Sequence, residues 1–150
     1  SLYNSEFDRF CAALVRQVRP GLTDRELINA VYSASVDDPV FLALHARLST
    51  VIEYNISIDA LIASKRAMLE RFKILIAAVA EHLGLSHTQT TDAFTAFSVL
   101  LTGCFDESAA GLLEREAIPD DVAHFISLFN MERRFKQSAY HILQGIRSSD

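Results

Sequence analysis

A chain of 150 residues suits one domain built around one core. Half of its residues are hydrophobic, a high share for a small water-soluble domain, which points to a large apolar interface or an apolar pocket. No apolar run approaches the roughly 20 residues that cross a bilayer, so no membrane partner is expected. The net charge of −5 leaves only the short basic run Arg133-Arg134-Phe135-Lys136, which argues against a DNA-binding surface within these residues.

The opening residues Ser1-Leu2-Tyr3-Asn4 contain neither an initiator Met nor a signal-peptide core, so a piece of a longer protein is expected. Phe7, Phe10, Cys11, Leu14, Val15 and Val18 then recur at helical spacing, with Asn4 or Ser5 as a cap and Pro20-Gly21 as the stop. Thr23-Asp24-Arg25-Glu26 reads as a capping box, and Leu22 and Leu27 flank it at staple spacing. A short second helix follows, carrying Leu27, Ile28 and Val31. Asp38-Pro39 starts a third: Asp caps it, and Pro at the first helical position loses no intrahelical hydrogen bond. Its stripe is Phe41, Leu44, Leu48, Val51 and Ile52, with Asn55 as terminator.

A long fourth helix is expected from Ser57 to Gly84, apolar almost all round between Ile74 and Ala80 and therefore central. Ser86-His87-Thr88-Gln89 is a second capping box. The fifth helix carries Phe94, Phe97, Leu101 and Phe105 on one side and Ala93, Ala96, Leu100 and Gly103 on another. After an irregular stretch from Asp106 to Ile118, Pro119-Asp120-Asp121 opens a last helix that runs past Phe125, Phe129 and Phe135 to Ile146. Leu128, Met131 and Phe135 widen its stripe to a second face. Strand-like alternation is absent, so the expected fold is all-α, an antiparallel bundle of about six helices in one domain over residues 1–150.

Catalytic and metal motifs are missing. His82 and His87 stand five apart across Gly84, and His124 has Asp120 and Asp121 within a turn, where acids suit a helix start. His141 has no acidic or Cys neighbour at metal spacing. The serines lie in no nucleophile elbow, and the five glycines are isolated, so no phosphate loop forms. Glu53 and Asp59 flank a helix junction and suit helix ends better than acid–base chemistry. Cys11 and Cys104, far apart and each beside apolar residues, fit reduced thiols in a cytoplasmic protein. Neither an enzyme, nor a metal, nor a cofactor is expected. Phe10, Phe41, Phe72, Phe94 and Phe97 lie on the apolar faces of four helices. Singly each suits a packed core; together they can line a cavity.

Asp38-Pro39-Val40-Phe41-Leu42-Ala43-Leu44, the run from Leu48 to Ser57, Lys65-Arg66, Gly84-Leu85-Ser86 and Leu100-Leu101-Thr102-Gly103 carry a resemblance. In helix order and junctions the chain resembles the C-terminal domain of TetR-family transcriptional regulators. The resemblance implies an effector pocket between inner helices and a homodimer formed by the last two helices. It also implies a helix-turn-helix head upstream, of which nothing is visible here, so operator DNA is a partner only through that missing domain. The expected function is a ligand-sensing and dimerisation domain of a regulator, a repressor that releases DNA on binding a small apolar or amphipathic effector. The pocket is expected from Phe10, Leu14, Phe41, Phe72, Phe94 and Phe97, with His45 and Ser98 as polar contacts. The dimer interface is expected from Ala93, Ala96, Leu100 and Gly103 with Phe125, Phe129 and Phe135. Two other classes fit the composition. A helical protein-interaction scaffold would show an apolar groove without a cavity, and a helical lipid or cofactor carrier would show a cavity without needing a dimer.

Overall fold

The computed structural model describes residues 2–47, 56–104 and 117–149. Those residues form seven helices and no strand, so the chain is all-α. The helices are α1 (Leu2–Gln17), α2 (Asp24–Val36), α3 (Pro39–Arg47), α4 (Ile58–Leu83), α5 (His87–Cys104), α6 (Asp120–Ser127) and α7 (Met131–Ser148). The expected third-helix residues Leu48, Val51 and Ile52, its terminator Asn55, Phe105 and most of the irregular stretch lie outside the described residues.

Local chemistry sets most of the boundaries. The Thr23 hydroxyl accepts from the Glu26 amide at 3.1 Å, and the Thr23 amide donates to the Glu26 carboxylate at 3.2 Å. Ser86 and Gln89 exchange the same pair of bonds, both at 3.0 Å. Asp38 Oδ1 accepts from the amides of Val40 and Phe41 at the start of α3. Ser57 accepts from the Ala60 amide at the start of α4. Each bond satisfies a first-turn amide that has no intrahelical partner. At the far end of α4, Gly84 turns left-handed with φ 66°, a conformation glycine adopts without a Cβ penalty.

Two expectations change. Neither Asn4 nor Ser5 caps α1, which already runs from Leu2; the Asn4 side chain bonds across to Ser64 of α4 instead. The expected last helix is two helices. The amides of Leu128, Phe129 and Asn130 donate three residues back rather than four, to the carbonyls of Phe125, Ile126 and Ser127. This tightening ends α6, and Asn130 then caps α7 by accepting from the Arg133 amide at 3.0 Å.

In the packing, α5 lies along α7, which also covers α2; α1 lies along α4 and touches α2 and α3; α4 meets α5. Helices α1 and α4 point the same way, since Asn4 meets Ser64 and Asp8 pairs with Arg71. The core gathers Leu14 and Cys11 of α1, Leu27 and Val31 of α2, Leu75 and Val79 of α4, Phe97 of α5 and Phe135, Ala139 and Leu143 of α7. Burial, with Asp8 nearby, pushes the Cys11 thiol up to about 12, so this sulfur stays protonated and packs as an apolar group. Both cysteines are free thiols.

Further polar ties join the elements. Arg147 of α7 grips both carboxylate oxygens of Asp24, at 2.8 and 2.6 Å, and also donates to the Leu83 carbonyl at 2.9 Å. One side chain thereby joins the end of α7, the start of α2 and the end of α4, and hydrogen bonding to Arg147 holds the Asp24 carboxyl below its ordinary range. At the α1–α3 contact, Arg9 reaches Glu6 at 3.2 Å and Asp38 at 3.5 Å. Hydrogen bonding to Asp38, then burial, raises the Glu6 carboxyl, and the same contact lowers that of Asp38. Among the described residues no single helix is long and apolar enough to cross a membrane; α2 with α3 would reach, but the pair is bent by 93°.

Candidate binding cavity

A cavity of about 330 Å³ opens between α1, α3, α4 and α5. Its α1 wall is Tyr3, Phe7 and Phe10, one residue per turn on one face of the helix. Phe41 and His45, one turn apart, form the α3 wall. Opposite stand Met68, Phe72 and Leu75 of α4 and Phe94, Phe97, Ser98 and Leu101 of α5, with Val31 of α2 at the base. Exposed Lys65, Leu69 and Thr95 also border the space.

The rings are ordered. Phe10 and Phe41 stack at 4.7 Å with planes 9° apart, and Tyr3 continues from Phe41 at 6.1 Å and 14°. On the other side Phe72 meets Phe94 edge-on at 6.4 Å, and Phe94 leads to Phe97 at 5.6 Å. Phe10 and Phe41 are also a partition. Behind them lies a second, polar cleft bordered by Glu6, Arg9, Arg16, Asp37 and Asp38.

One polar chain crosses the apolar wall. His45 Nε2 lies 3.2 Å from the Ser98 backbone carbonyl and 3.0 Å from Ser98 Oγ, while Nδ1 lies 3.1 Å from the Tyr3 hydroxyl. A carbonyl only accepts, so the proton of the neutral ring belongs on Nε2, and Nδ1 accepts from Tyr3. Burial holds His45 below its ordinary value, so the ring is neutral at pH 7. The chain Tyr3–His45–Ser98 thus links α1, α3 and α5 at the cavity. Among the described residues no group of three or more His, Cys, Asp or Glu side chains gathers as a metal ion needs.

Seven of the expected pocket residues, Phe10, Phe41, His45, Phe72, Phe94, Phe97 and Ser98, meet around this one space. Leu14 does not. It is 1% exposed, one turn beyond Phe10, and packs in the core, because the cavity follows only the first turns of α1. Tyr3 and Phe7 were not expected there, although the 3, 7, 10 spacing places them on the face of Phe10. The remaining walls, such as Met68 and Leu101, give no sequence signal that separates a cavity wall from a packed core.

The expected interface residues also separate. Ala93 and Phe135 are 1% and 0% exposed within the protomer, where α5 and α7 pack on each other, so neither reaches the surface. The apolar stripe of α7 is single and turned inward through Phe135, Ala139 and Leu143, which corrects the two-faced reading of that helix. Ala96 and Leu100 are half-buried and Gly103 is exposed. Phe125 and Phe129 are 60% and 64% exposed, and Val99 of α5, not anticipated, is 72% exposed.

Residues 4–150 match the family of tetracyclin repressor-like C-terminal domains. The chain belongs to that family. No curated protein and no solved structure matches it significantly. Domains of this kind serve regulators in effector binding and dimerisation and are typically non-enzymatic.

Proposed function

We propose that this domain senses a small, mostly apolar effector in the α1–α3–α4–α5 cavity and controls, as a homodimer, a DNA-binding head that precedes it. The observation that carries the reading is the cavity itself, about 330 Å³ of largely aromatic wall with one polar chain, in a domain of a regulator family. The regulator acts as a repressor: effector binding lowers its affinity for operator DNA. The helix that lines the cavity with three side chains, α1, begins at the end of the chain nearest that head. An effector touching Tyr3, Phe7 or Phe10 shifts the orientation of α1 only if it binds one orientation more tightly. A coupling of about 1–3 kcal/mol changes DNA affinity roughly 5- to 150-fold.

The second subunit covers Val99, Leu100 and Gly103 of α5 together with Val122, Phe125 and Phe129 around α6. An obligate interface of this kind buries on the order of 2,000 Å² or more in total. The reading differs from a solid scaffold by the cavity and from a monomeric carrier by the dimer. Its test uses the full-length protein with its operator and effector. Phe10→Ala alters the effector response and leaves effector-free DNA affinity nearly intact. An unchanged response, or loss of DNA binding without effector, contradicts α1 as the transmitter. Light scattering that finds a monomer at micromolar concentration contradicts the dimer.

A further inference from the structure

On α5 the hydroxyls of Thr90, Thr95 and Thr102 each return to a carbonyl one turn back, at 2.8, 3.0 and 3.1 Å. Ser98 does not: its Oγ turns to His45. Because His45 Nε2 carries the proton it donates to the Ser98 carbonyl, it has no lone pair to accept from Oγ at 3.0 Å, and Oγ is left as the acceptor of that contact. Among the described residues nothing then accepts the Ser98 hydroxyl proton, on the wall of an apolar cavity. A donor left unmatched in such a place discriminates sharply between ligands that can and cannot accept from it.

Charge and shape narrow the ligand further. Among the described residues no Asp or Glu lines this cavity, and its histidine is held neutral by burial, so no carboxylate among them balances a cation, whereas Lys65 stands at the border. The near-parallel rings of Tyr3, Phe10 and Phe41 face the edge-on Phe72–Phe94 pair. Walls of that kind favour a flat ring system, which stacks or packs edge-to-face and loses no internal rotation on binding.

We infer that the effector is a planar aromatic compound, neutral or anionic, bearing one hydrogen-bond acceptor that takes the Ser98 hydroxyl proton. The inference rests on the cavity being the effector site. It assigns Ser98 as the specificity residue and His45 as the group that turns its hydroxyl inward, with Tyr3 holding His45 from the opposite nitrogen.

Calorimetric titration of the full-length protein with four probes tests it. They are 2-acetylnaphthalene, its hydrocarbon shape-match 2-isopropenylnaphthalene, the flexible acid decanoate and the planar cation N-methylquinolinium. The acetyl compound binds about tenfold tighter than the isopropenyl compound, the size of one hydrogen bond from a half-buried donor. Decanoate binds more weakly than the acetyl compound, and the cation does not bind. In Ser98→Ala the preference for acetyl over isopropenyl disappears while the isopropenyl affinity holds, because His45 keeps its bond to the backbone carbonyl of residue 98. Thermal melting of the variant verifies that it is folded. Equal affinity of the two naphthalenes, a preference that survives Ser98→Ala, or tighter binding of decanoate or the cation overturns the ligand class and leaves the cavity as a binding site. Failure of all four probes to bind overturns the cavity reading as well.

Discussion

Phe41→Ala probes the wall that α1 and α3 share. Phe41 is 2% exposed, stacked on Phe10 at 4.7 Å, with Tyr3 at 6.1 Å and His45 at 5.7 Å. Removing a buried Phe side chain costs roughly 3–5 kcal/mol in a well-packed core. Here the ring already borders open space, the apolar cavity on one side and the polar cleft on the other. Fewer packing contacts are therefore lost, and the expected cost sits near the low end, about 3 kcal/mol. That is a large part of a typical domain's ~5–15 kcal/mol, but the variant still folds. For a domain of this length the thermal midpoint drops by about 6–12 °C. Urea unfolding at fixed protein concentration is the assay, since the proposed dimer would make stability concentration-dependent. The midpoint falls while the slope stays constant. A loss under about 1 kcal/mol would refute the reasoning, because a ring buried and stacked as described cannot be removed so cheaply.

Other consequences are more local. Arg147→Ala removes a two-pronged grip on Asp24 and a bond to the Leu83 carbonyl, and with both side chains partly exposed the loss is about 1–2 kcal/mol by urea unfolding. An effect within about 0.3 kcal/mol would show that α7 is held by its apolar face alone. His45 sets a pH dependence: burial lowers its folded-state value below the ordinary 6.5, so the unfolded chain takes up the proton first. That contribution is intact above pH 6.5 and is lost as pH falls through 6.5 toward the folded-state value. His45→Gln, which keeps a donor toward Ser98, melts with a shallower decline over this window; parallel profiles for the two proteins would contradict the assignment.

Capping chemistry made the helix starts readable in the sequence. Thr23 with Glu26, Ser57, and Ser86 with Gln89 each formed the bonds their spacing implied, and Gly84 took the left-handed turn. The break before α7 was not readable, because apolar spacing runs straight through Leu128, Met131 and Phe135, and no Gly or Pro interrupts it. The chain turns there through three-residue bonds and the Asn130 cap, signals too common to stand out. Periodicity also shows that a face is apolar without showing what it meets. Phe10 and Leu14 share a stripe, yet one borders the cavity and the other fills the core. Small Ala93 suits the approach of a second subunit, whereas it is buried in the core of its own chain. The Tyr3–His45–Ser98 chain spans residues far apart in sequence, so only the fold brings it together.

The central claim is that the space between α1, α3, α4 and α5 is a binding site and not a packing fault. Met68→Trp tests it most directly, since residue 68 borders the cavity from α4 and a larger side chain there fills part of its 330 Å³. The measurement is calorimetric titration of wild type and variant with 2-acetylnaphthalene, with a thermal melt of each. The account predicts that the variant melts at the same temperature or higher and no longer binds. Undiminished binding in a folded Met68→Trp protein would contradict it.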